Sequence, residues 1–594
     1  MDQSLNQQSN MADAPFMVFE PRRVLSSFAA FARTHTAELL SGAMLVIMGM
    51  QMFAVIWRKS ITIDESVLIP SAYYHLADGN FQLVNEHPAF PKLVAAVPLL
   101  FIQPNEYVRK PTEQFHDASD LEWVQQSRFW DDNLDRVDSL SFWPRLAMIV
   151  LTIALGVLIF HCTRSMFGPR AAVLAVTLFS LEPTLVGHGR VVHTDVPAAF
   201  GYLLFFWALY AYTNERTWRR AVFVGAAAAL AILSKFSMLM TGFVLAGVFL
   251  FLFWQSAKRR PVLMQAIIVL VSIIVVIDAA YFFQRQPLDP ADLAWISGHF
   301  PDSRAGLSLL AQSLSYFLPK DFVMGIVFQF WHNREGHSAG LLGTYSEKGW
   351  WYYFPVAFAL KTTLPFLLLS LGAFGWATFE FVRHRDRRFF WLLLPIMIYM
   401  VFVLFSHIDI GVRYLLPMFP FLIILGAFLL DTLWRKRPRL GGLVVVLALG
   451  WMGVEAIRAY PNHISYMNQL ASRAPHWWYL SDSNVEWGDD LRDLAKYLHE
   501  RGETRVLDAT LGGFAILHFY GIERVDALDK QHAGENEPKY LAIGASYMNG
   551  STIPSGLPGT GRETVAGRVN FFDEYRHRQP EAIIGDSIYV FRMR

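Results

Sequence analysis

Long apolar segments alternate with short charged segments over the first three quarters of the chain. A helix that crosses a membrane needs about 20 consecutive, mostly apolar residues. Eleven segments have this character, although the fifth is short and the boundary near Ser234 and Lys235 is weakly marked. These segments are 39–57, 143–162, 170–187, 196–213, 219–234, 237–254, 262–283, 351–378, 389–405, 413–431 and 441–456. The pattern predicts a polytopic α-helical membrane protein of about eleven spans.

Lysine and arginine are concentrated in the short segments that follow every even-numbered span. Such residues mark the cytoplasmic side of a membrane. The basic N-terminal tail, residues 1–38, falls on the same side, so the N-terminus is predicted to be cytoplasmic. Arg58 and Lys59 are the exception, because they follow the first span on the opposite side. The segments expected to face outward are 58–142, 284–350 and 457–594.

The third outward segment, residues 457–594, differs in character from the membrane part. Proline, glycine and charged residues are more frequent there, and "TRVLDATLGGFAILHFYG", "KYLAIGAS" and "SIYVFRM" have the pattern of short strands. The stretch "DSNVEWGDDLRDLAKYLHERG" has the pattern of a capped helix that ends at Gly502. We therefore expect a small C-terminal α/β domain outside the membrane, after a transmembrane domain of residues 39–456.

The composition agrees with a membrane protein. Hydrophobic residues make up 54% of the chain and charged residues 17%, whereas soluble proteins carry about 25% charged residues. The single cysteine, Cys162, excludes an intrachain disulfide and a cysteine-based zinc site. No short apolar core with a small-residue cleavage site follows the N-terminus, so no removable signal peptide is expected. The net charge of +1 gives no indication of a nucleic-acid partner.

Acidic residues lie at the outer ends of several predicted spans. Asp64 and Glu65 precede the apolar stretch "SVLIPSAYYHLA", and Asp195 precedes the fourth span in "HTDVPAAF". That stretch and "FPKLVAAVPLLF" are too short to cross a membrane, and we expect them to lie in the interface as amphipathic helices. Each acid suits the start of a helix, since "TIDES" resembles a capping box and Pro197 fits a first helical turn. The alternative is that the carboxylates act as a general base and its partners.

Three cations belong to the same predicted face. Lys92 follows "EHPAFP", Lys361 interrupts the apolar run "PVAFALKTTLPFLLL", and Arg413 opens the tenth span. Long basic side chains often extend from a helix end to the membrane interface without any further role. However, positive charge near the outer ends of spans opposes the orientation rule, which suggests an anionic partner such as a lipid phosphate.

Acids beside cations at a membrane surface suit the transfer of a sugar from a lipid phosphate. An acid can remove the proton of the acceptor. Cations can offset the charge that develops on the departing phosphate. Since the lipid tail stays in the bilayer, such a site must lie at the membrane surface.

Several motifs carry a family resemblance. "IDESVLIPSAYYHLADG", "EHPAFPKLVAAVPLL", "VHTDVPAAF", "GWWYYFPVAFALKTTLPFLLL" and "GVRYLLPMFPFL" resemble the GT-C glycosyltransferases. More narrowly, they resemble the bacterial phospholipid-carrier-dependent relatives of protein O-mannosyltransferases and aminoarabinose transferases. The resemblance covers roughly residues 40–430. It implies an inverting transfer of a sugar from a polyprenyl phosphate to an acceptor, in the bacterial plasma (inner) membrane and on its outer face.

The resemblance also implies roles for the acids and cations. Asp64 would be the base, Glu65 would assist it or bind the donor, and Asp195 would be a second acid lining the site. Lys92, Lys361 and Arg413 would hold the polyprenyl phosphate. No cofactor is expected, and although the acids are compatible with a divalent metal, no ligand spacing demands one.

Histidines and aromatic residues extend this list of candidates. His87, His193, His332, Tyr345 and Trp350 are candidates for sugar or acceptor contacts, because aromatic faces suit sugar rings. The alternative for the loop 284–350 is an aromatic belt at the membrane interface.

Two rival functions remain open at this point. A transporter or flippase of lipid-linked sugars would place ionisable residues near the bilayer midplane on broken helices, and Glu182 beside Pro183 is the residue that best fits it. A membrane-anchored sensory or binding protein would depend on residues 457–594 alone. The sugar and the acceptor, whether protein, lipid or glycan, are not determined by the sequence.

Overall fold

A computed structural model describes residues 34–106, 127–529 and 538–593. Within these residues, nine helices are long and apolar enough to cross a membrane. They are Thr36–Ile56, Leu134–Phe167, Asp195–Asn214, Phe236–Gln255, Arg259–Ala280, Leu364–His384, Arg387–Leu404, Val412–Lys436 and Pro438–Ala459. The predicted polytopic helical membrane fold is confirmed.

Two of the eleven predicted spans form shorter helices. The third is divided, because the chain is extended at Glu182 between the helices Pro169–Leu181 and Pro183–His188. Proline disfavours a helical residue before it, which ends the first helix there. The fifth is the 17-residue helix Trp218–Ser234.

The eighth predicted span is also interrupted. A helix Tyr353–Lys361 ends at Thr362 and Thr363, and the spanning helix Leu364–His384 begins afterwards with Pro365 in its first turn. The amide of Asn468 donates to the carbonyls of Ala359 and Thr362 at 2.6 and 2.7 Å, which satisfies the interrupted backbone.

The outer loops contain short helices and one hairpin. In the first loop the helices are Ile63–Ala77, Ala89–Ala96 and Leu99–Ile102. In the second they are Pro290–His299, Arg304–Ser315 and Lys320–Glu335, followed by the antiparallel strands β1 (Ala339–Leu341) and β2 (Thr344–Ser346). The helix Ile63–Ala77 is buried on nearly all sides, so the prediction that it lies in the membrane interface is wrong. It packs mainly against the helix Ala89–Ala96, and the C-terminal domain contacts its N-terminal end through Ile63.

The C-terminal part contains the predicted sheet. Five strands lie in the order β4-β3-β5-β7-β6. Strand β3 pairs in parallel with β4 and β5, with Leu507 opposite Leu541, whereas β7 is antiparallel to β5 and β6. The strands are β3 (Arg505–Ala509), β4 (Glu523–Asp526), β5 (Tyr540–Gly544), β6 (Ala582–Ile584) and β7 (Ile588–Arg592). A small α/β domain is therefore present.

Short helices surround this sheet. They are His476–Tyr479, Leu491–His499, Gly513–Ile516, Ala545–Met548, Val565–Val569 and Asp573–Arg576. The helix Leu491–His499 buries Leu491, Leu494 and Leu498, which lie on one face at helical spacing. The turn after this helix uses Gly502 at φ +73°, where a residue with a side chain would be strained.

Ion pairs join the C-terminal domain to the first outer loop and to the segment before the fourth predicted span. Lys59 contacts both Asp490 and Asp493, the latter at 2.8 Å. Arg190 contacts Asp489 at 2.8 Å, and the Ile63 amide donates to the Trp487 carbonyl at 2.9 Å. Lys59 is an exception to the charge rule for membrane orientation, and its ion pairs with Asp490 and Asp493 at this interface account for the exception.

The stability of this domain is expected to fall as the pH rises, because of Glu486. Burial raises the pKa of Glu486 to about 8 from its ordinary 4.5, although the amides of Leu511 and Ser546 donate to its carboxyl oxygens. Between those two values the folded state keeps a proton that the unfolded state has released, so the free energy of unfolding decreases with increasing pH. The thermal midpoint, followed by tryptophan fluorescence in detergent, should decrease between about pH 5 and about pH 8.

Glu486→Gln is the control for this pH dependence, because it removes the titrating group and keeps the shape. The variant should lose part of the slope of midpoint against pH. An unchanged slope would show that other groups cause it.

Candidate active site

The first outer helix begins with a capping box made by Thr62 and Glu65. The Thr62 hydroxyl accepts from the Glu65 amide at 3.2 Å, and the Glu65 carboxylate accepts from the Thr62 amide at 2.8 Å. This arrangement satisfies two amides at the helix start that have no partner inside the helix. The capping alternative therefore fits Glu65. The neighbouring Asp64 takes no part in this capping box.

Glu65 is also held by a buried arginine. Arg145 contacts both carboxylate oxygens, with Nε at 2.8 Å from Oε1 and Nη2 at 2.5 Å from Oε2. The Val192 amide donates to Oε1 at 3.0 Å. Both side chains are fully buried. With its oxygens occupied in this way, Glu65 has the surroundings of a structural residue.

Asp64 points in a different direction and remains accessible. Its Oδ2 lies 3.1 Å from Nη1 of Arg413 and 3.2 Å from Nε2 of His193. The Asp64 side chain is 29% exposed, whereas that of Asp195 is 2% exposed. Asp64 is therefore the carboxylate of this cluster that a substrate can reach.

Asp195 connects the cluster to a lysine deeper in the protein. Its Oδ2 lies 2.9 Å from Nδ1 of His193, and its Oδ1 accepts from Lys235 at 2.5 Å. The imidazole of His193 thus lies between the two carboxylates. A continuous series of contacts runs from Asp64 through His193 and Asp195 to Lys235.

Lys235 was not predicted as a site residue. In "LAILSKFSMLM" it interrupts an apolar stretch, at the weakly marked boundary between the fifth and sixth predicted spans. The structure turns the chain there, from the helix Trp218–Ser234 into a 3-10 helix at Phe236–Leu239. The ammonium group lies over the ring of Tyr414 at 3.7 Å. A charged residue between two apolar segments was the available signal.

Trp487 of the C-terminal domain covers one side of the cluster, and it too was not predicted as a site residue. The Arg413 guanidinium lies 4.4 Å from the centre of its ring. The ring of His193 meets it edge to face at 5.4 Å, and the His87 ring meets His193 on another side at 5.2 Å. Trp487 is 1% exposed, so it acts as a wall that holds Arg413 and His193 in place.

Charge sets the protonation of the accessible acid. Burial raises the pKa of Asp64, but the positive charge of Arg413 and the hydrogen bond from His193 outweigh it and hold that pKa well below its usual range. The Asp64 carboxyl is therefore ionised at neutral pH. Burial and the positive charge of neighbouring groups lower the pKa of His87, which is therefore neutral.

Two of the three predicted phosphate-binding cations donate to backbone carbonyls. Lys92 donates to the carbonyl of Val84 at 2.8 Å, and Val84 has a φ of +53° that a β-branched residue rarely adopts. Lys361 donates to the carbonyls of Ile464 and Asn484, both in the segment that leads into the C-terminal domain. Both lysines are 1% exposed. Their contacts fix loops around the cluster.

Arg413 differs from these lysines, because it faces the accessible acid. Within the described part of the chain, its Nε has no hydrogen-bond partner. A buried guanidinium nitrogen without a partner costs free energy, which an anionic ligand can offset. Arg413 is therefore the predicted phosphate-binding residue whose surroundings best fit that role.

The aromatic candidates of the second outer loop lie apart from the acids. The Tyr345 hydroxyl forms a hydrogen bond with the Ser338 hydroxyl at 3.0 Å. The Trp350 amide donates to the Asp409 carboxylate at 2.7 Å. The ring centres of His332 and His337 are 6.2 Å apart. Thus the structure brings Asp64, Asp195, Arg413, His193 and His87 together. The contacts of His332, Tyr345 and Trp350 are with other residues.

In the residues that the structure describes, no group of three or more histidine, cysteine, aspartate or glutamate side chains is arranged to hold a metal ion. Asp64, Glu65 and Asp195 each contact a cationic side chain instead. Metal-independent transfer stays a prediction.

Comparison with known proteins gives one family match. Residues 138–281 match the model of the family described as dolichyl-phosphate-mannose-protein mannosyltransferase. The GT-C resemblance is confirmed over this part of the chain. The matched segment contains His193, Asp195 and Lys235 of the cluster, together with Arg145, which holds Glu65. No curated protein sequence matches the chain.

Solved GT-C structures are similar at low sequence identity. ArnT from Cupriavidus metallidurans bound to undecaprenyl phosphate shares 14% identity, with a TM-score of 0.46, over 86% of this chain and 93% of that chain. The apo oligosaccharyltransferase of Archaeoglobus fulgidus shares 11%, with a TM-score of 0.42, over 77% and 58%. The Pmt1-Pmt2 complex of S. cerevisiae with its sugar donor shares 16%, with a TM-score of 0.30, over 45% and 34%.

Substitution of the two neighbouring acids should have unequal effects on stability. Glu65→Gln should destabilise the protein by about 3–5 kcal/mol, because Arg145 is left buried without its charged partner. Asp64→Asn should cost less, because its side chain is partly exposed and Arg413 keeps Asp195 within 3.7 Å. Reversible unfolding in a detergent titration measures both. Equal destabilisation by the two substitutions would contradict the division of roles.

Proposed function

We propose that this protein is a glycosyltransferase that moves a sugar from a polyprenyl-phosphate donor to an acceptor, with Asp64 as the base. The observation that carries the proposal is the contact between Asp64 and Arg413, at 3.1 Å, at the outer ends of the membrane helices. An accessible carboxylate beside a buried cation provides a base for the acceptor and a charge for the leaving phosphate.

The proposed reaction is a single displacement. The acceptor oxygen or nitrogen attacks the anomeric carbon and its proton passes to Asp64. The bond between the anomeric carbon and the phosphate oxygen breaks, and polyprenyl phosphate leaves with the electron pair. Arg413 offsets the charge on the leaving phosphate. Attack opposite the leaving group inverts the anomeric configuration.

Binding of the donor would make Asp64 a stronger base. Without donor, Arg413 and His193 lower the pKa of Asp64 and so weaken it as a base. A donor phosphate bound to the Arg413 guanidinium adds negative charge near Asp64 and offsets part of the positive charge of Arg413. The pKa of Asp64 therefore rises. The base would thus be activated only when the donor is bound.

The donor phosphate is assigned to Arg413 rather than to Lys92 or Lys361, because those two lysines donate to backbone carbonyls. Behind Asp64, His193, Asp195 and Lys235 contact one another in series. Asp195 Oδ2 lies 2.9 Å from one ring nitrogen of His193, and the other ring nitrogen faces Asp64. These residues are proposed to position the base.

The transporter alternative is weakened by the surroundings of Glu182. This residue accepts from the Thr363 amide at 3.2 Å and from the Thr363 hydroxyl at 2.9 Å. It therefore caps the start of the spanning helix Leu364–His384, which explains a buried acid at a broken helix without transport. We retain the bacterial plasma membrane and an outward-facing C-terminal domain as part of the proposal.

Asp64→Asn should abolish donor cleavage without unfolding the protein. Purified protein in liposomes is mixed with labelled polyprenyl-phosphate sugars, and release of polyprenyl phosphate is followed with and without acceptor extracts. Loss of the base should reduce release by about 10²–10⁴-fold. The exposed carboxylate of Asp302, on the second outer loop, provides the matched control Asp302→Asn, which should retain wild-type release.

Release that survives in Asp64→Asn would exclude Asp64 as the base. Translocation of a lipid-linked sugar without release of polyprenyl phosphate would favour the flippase instead.

Donor affinity separates the three predicted phosphate-binding cations. Arg413→Lys should weaken binding of the polyprenyl-phosphate sugar by roughly tenfold or more, since lysine lacks the planar pair of donors. Lys92→Met should leave donor affinity unchanged in whatever fraction of the protein folds. Titration with a fluorescent donor measures both. If both substitutions weaken donor affinity equally, Lys92 also binds the donor phosphate.

A further inference from the structure

A second cavity lies on the outer face, between the β1–β2 hairpin and the C-terminal domain. Its volume is about 420 Å³, which is in the range of ligand-binding pockets. Tyr345 and Thr344 line it from the hairpin, and Trp477, Trp478 and Arg576 line it from the domain. None of the proposed catalytic residues belongs to it.

The cavity walls are fixed by hydrogen bonds between the two parts of the chain. The Gly343 amide donates to the Trp478 carbonyl at 2.7 Å, and the Gly340 amide donates to the Ser481 hydroxyl at 2.8 Å. Gly343 has a φ of +75°, and a Cβ there would come within 2.3 Å of the Trp478 indole nitrogen. The hairpin can approach the tryptophan this closely only with glycine at that position.

The lining combines aromatic faces with planar polar groups. Trp478 is 36% exposed, and Trp477 and Tyr345 are half-buried. The Arg576 guanidinium lies 5.5 Å from the centre of the Trp477 ring, and it is held by Asp573 at 3.3 Å and by the carbonyls of Met548 and Val569. Sugar rings stack their C–H faces on aromatic rings, and their hydroxyls donate to carboxylates such as the exposed one of Asp573. A nucleic acid would require an excess of positive charge, whereas Arg576 is paired with an acid.

A polypeptide ligand is disfavoured by the shape of the hairpin. Extended peptides bind by adding a strand to an exposed sheet edge. Strand β2 has only three residues, Thr344–Ser346, so its edge offers few backbone groups. The chemistry of the cavity therefore favours a saccharide.

The same two segments that line the cavity lead to the proposed catalytic cluster. His337 precedes β1, and Asp482 follows the segment of Trp477 and Trp478. The Ser483 hydroxyl donates to the Ile410 carbonyl at 2.6 Å, and the Val412 amide, beside Arg413, donates to Oδ1 of Asn484 at 2.9 Å. The segment that leaves the cavity wall is therefore in contact with the segment that carries Arg413.

We infer that this cavity binds the distal sugars of an oligosaccharide acceptor, while its terminal hydroxyl lies at Asp64. The role as an acceptor site rests on the proposed glycosyltransferase function. The binding of a saccharide does not, because it depends only on the aromatic cavity.

Binding of defined oligosaccharides to the full chain in detergent tests the inference. The probes are pentasaccharides of neutral hexoses, N-acetylhexosamines and uronic acids, with a pool of random nonapeptides as the competing class. Saturation-transfer NMR detects binding, and titration gives the affinity. At least one pentasaccharide should bind, and Trp478→Ala should weaken it by roughly tenfold or more.

Trp351→Ala is the matched control, because Trp351 is 70% exposed but does not line the cavity. It should leave binding unchanged. If Trp478→Ala fails to fold, the exposed Asp573→Ala replaces it and should also weaken binding. The inference is overturned if no pentasaccharide binds, if only peptides bind, or if neither cavity variant affects binding.

Donor cleavage, measured beside pentasaccharide binding, distinguishes failure of this inference from failure of the proposed function. If donor cleavage is absent in the wild type while the pentasaccharide still binds, the cavity is a saccharide site and the transferase proposal fails. If donor cleavage depends on Asp64 but no pentasaccharide binds, the inference about the acceptor fails alone.

Discussion

The contact between Arg413 and Asp64 governs the outer half of this molecule. Arg413 is 4% exposed, and a charge removed from water in this way is tolerated only with close partners. Asp64 and Asp195 supply negative charge, His193 lies between them, and Trp487 covers the guanidinium with its ring. Since these partners come from the first outer loop, the fourth predicted span and the C-terminal domain, their meeting requires that all three parts pack together.

The C-terminal domain is consequently a structural part of the site. Its segment around Trp487 supplies the wall over Arg413, and Asp489 and Asp490 pair with Arg190 and Lys59 of the membrane domain. These pairs are buried, so each charge depends on its partner for solvation. The same domain contacts the start of the first outer helix through Ile63, and the helix Ala89–Ala96 packs along it, so the first outer helix is buried instead of lying in the membrane interface.

The adjacent acids Asp64 and Glu65 show what the sequence predicts about the site and what it leaves open. Asp64 and Glu65 are adjacent and chemically alike, and the sequence assigns both to the site. The structure turns Glu65 inward onto Arg145 and leaves Asp64 facing Arg413 and solvent. Successive residues at the start of a helix point in different directions, so only the packing around them shows which carboxylate is accessible. Lys92 and Lys361 were predicted from their charge, their position in the sequence and the family resemblance, and their carbonyl partners come from segments distant in sequence or strained in conformation.

By itself, the sequence determined the membrane character, the approximate positions of the spans, the α/β tail and the motifs that carry the family resemblance. These properties follow from local hydrophobicity and spacing, which any segment expresses without its neighbours. Tertiary structure alone decided that Lys235 and Trp487 join the cluster, that Glu182 caps a broken helix, and that a second cavity opens beside Trp478. Those outcomes depend on contacts between residues up to several hundred positions apart, where burial and charge pairing select one arrangement that local patterns do not record.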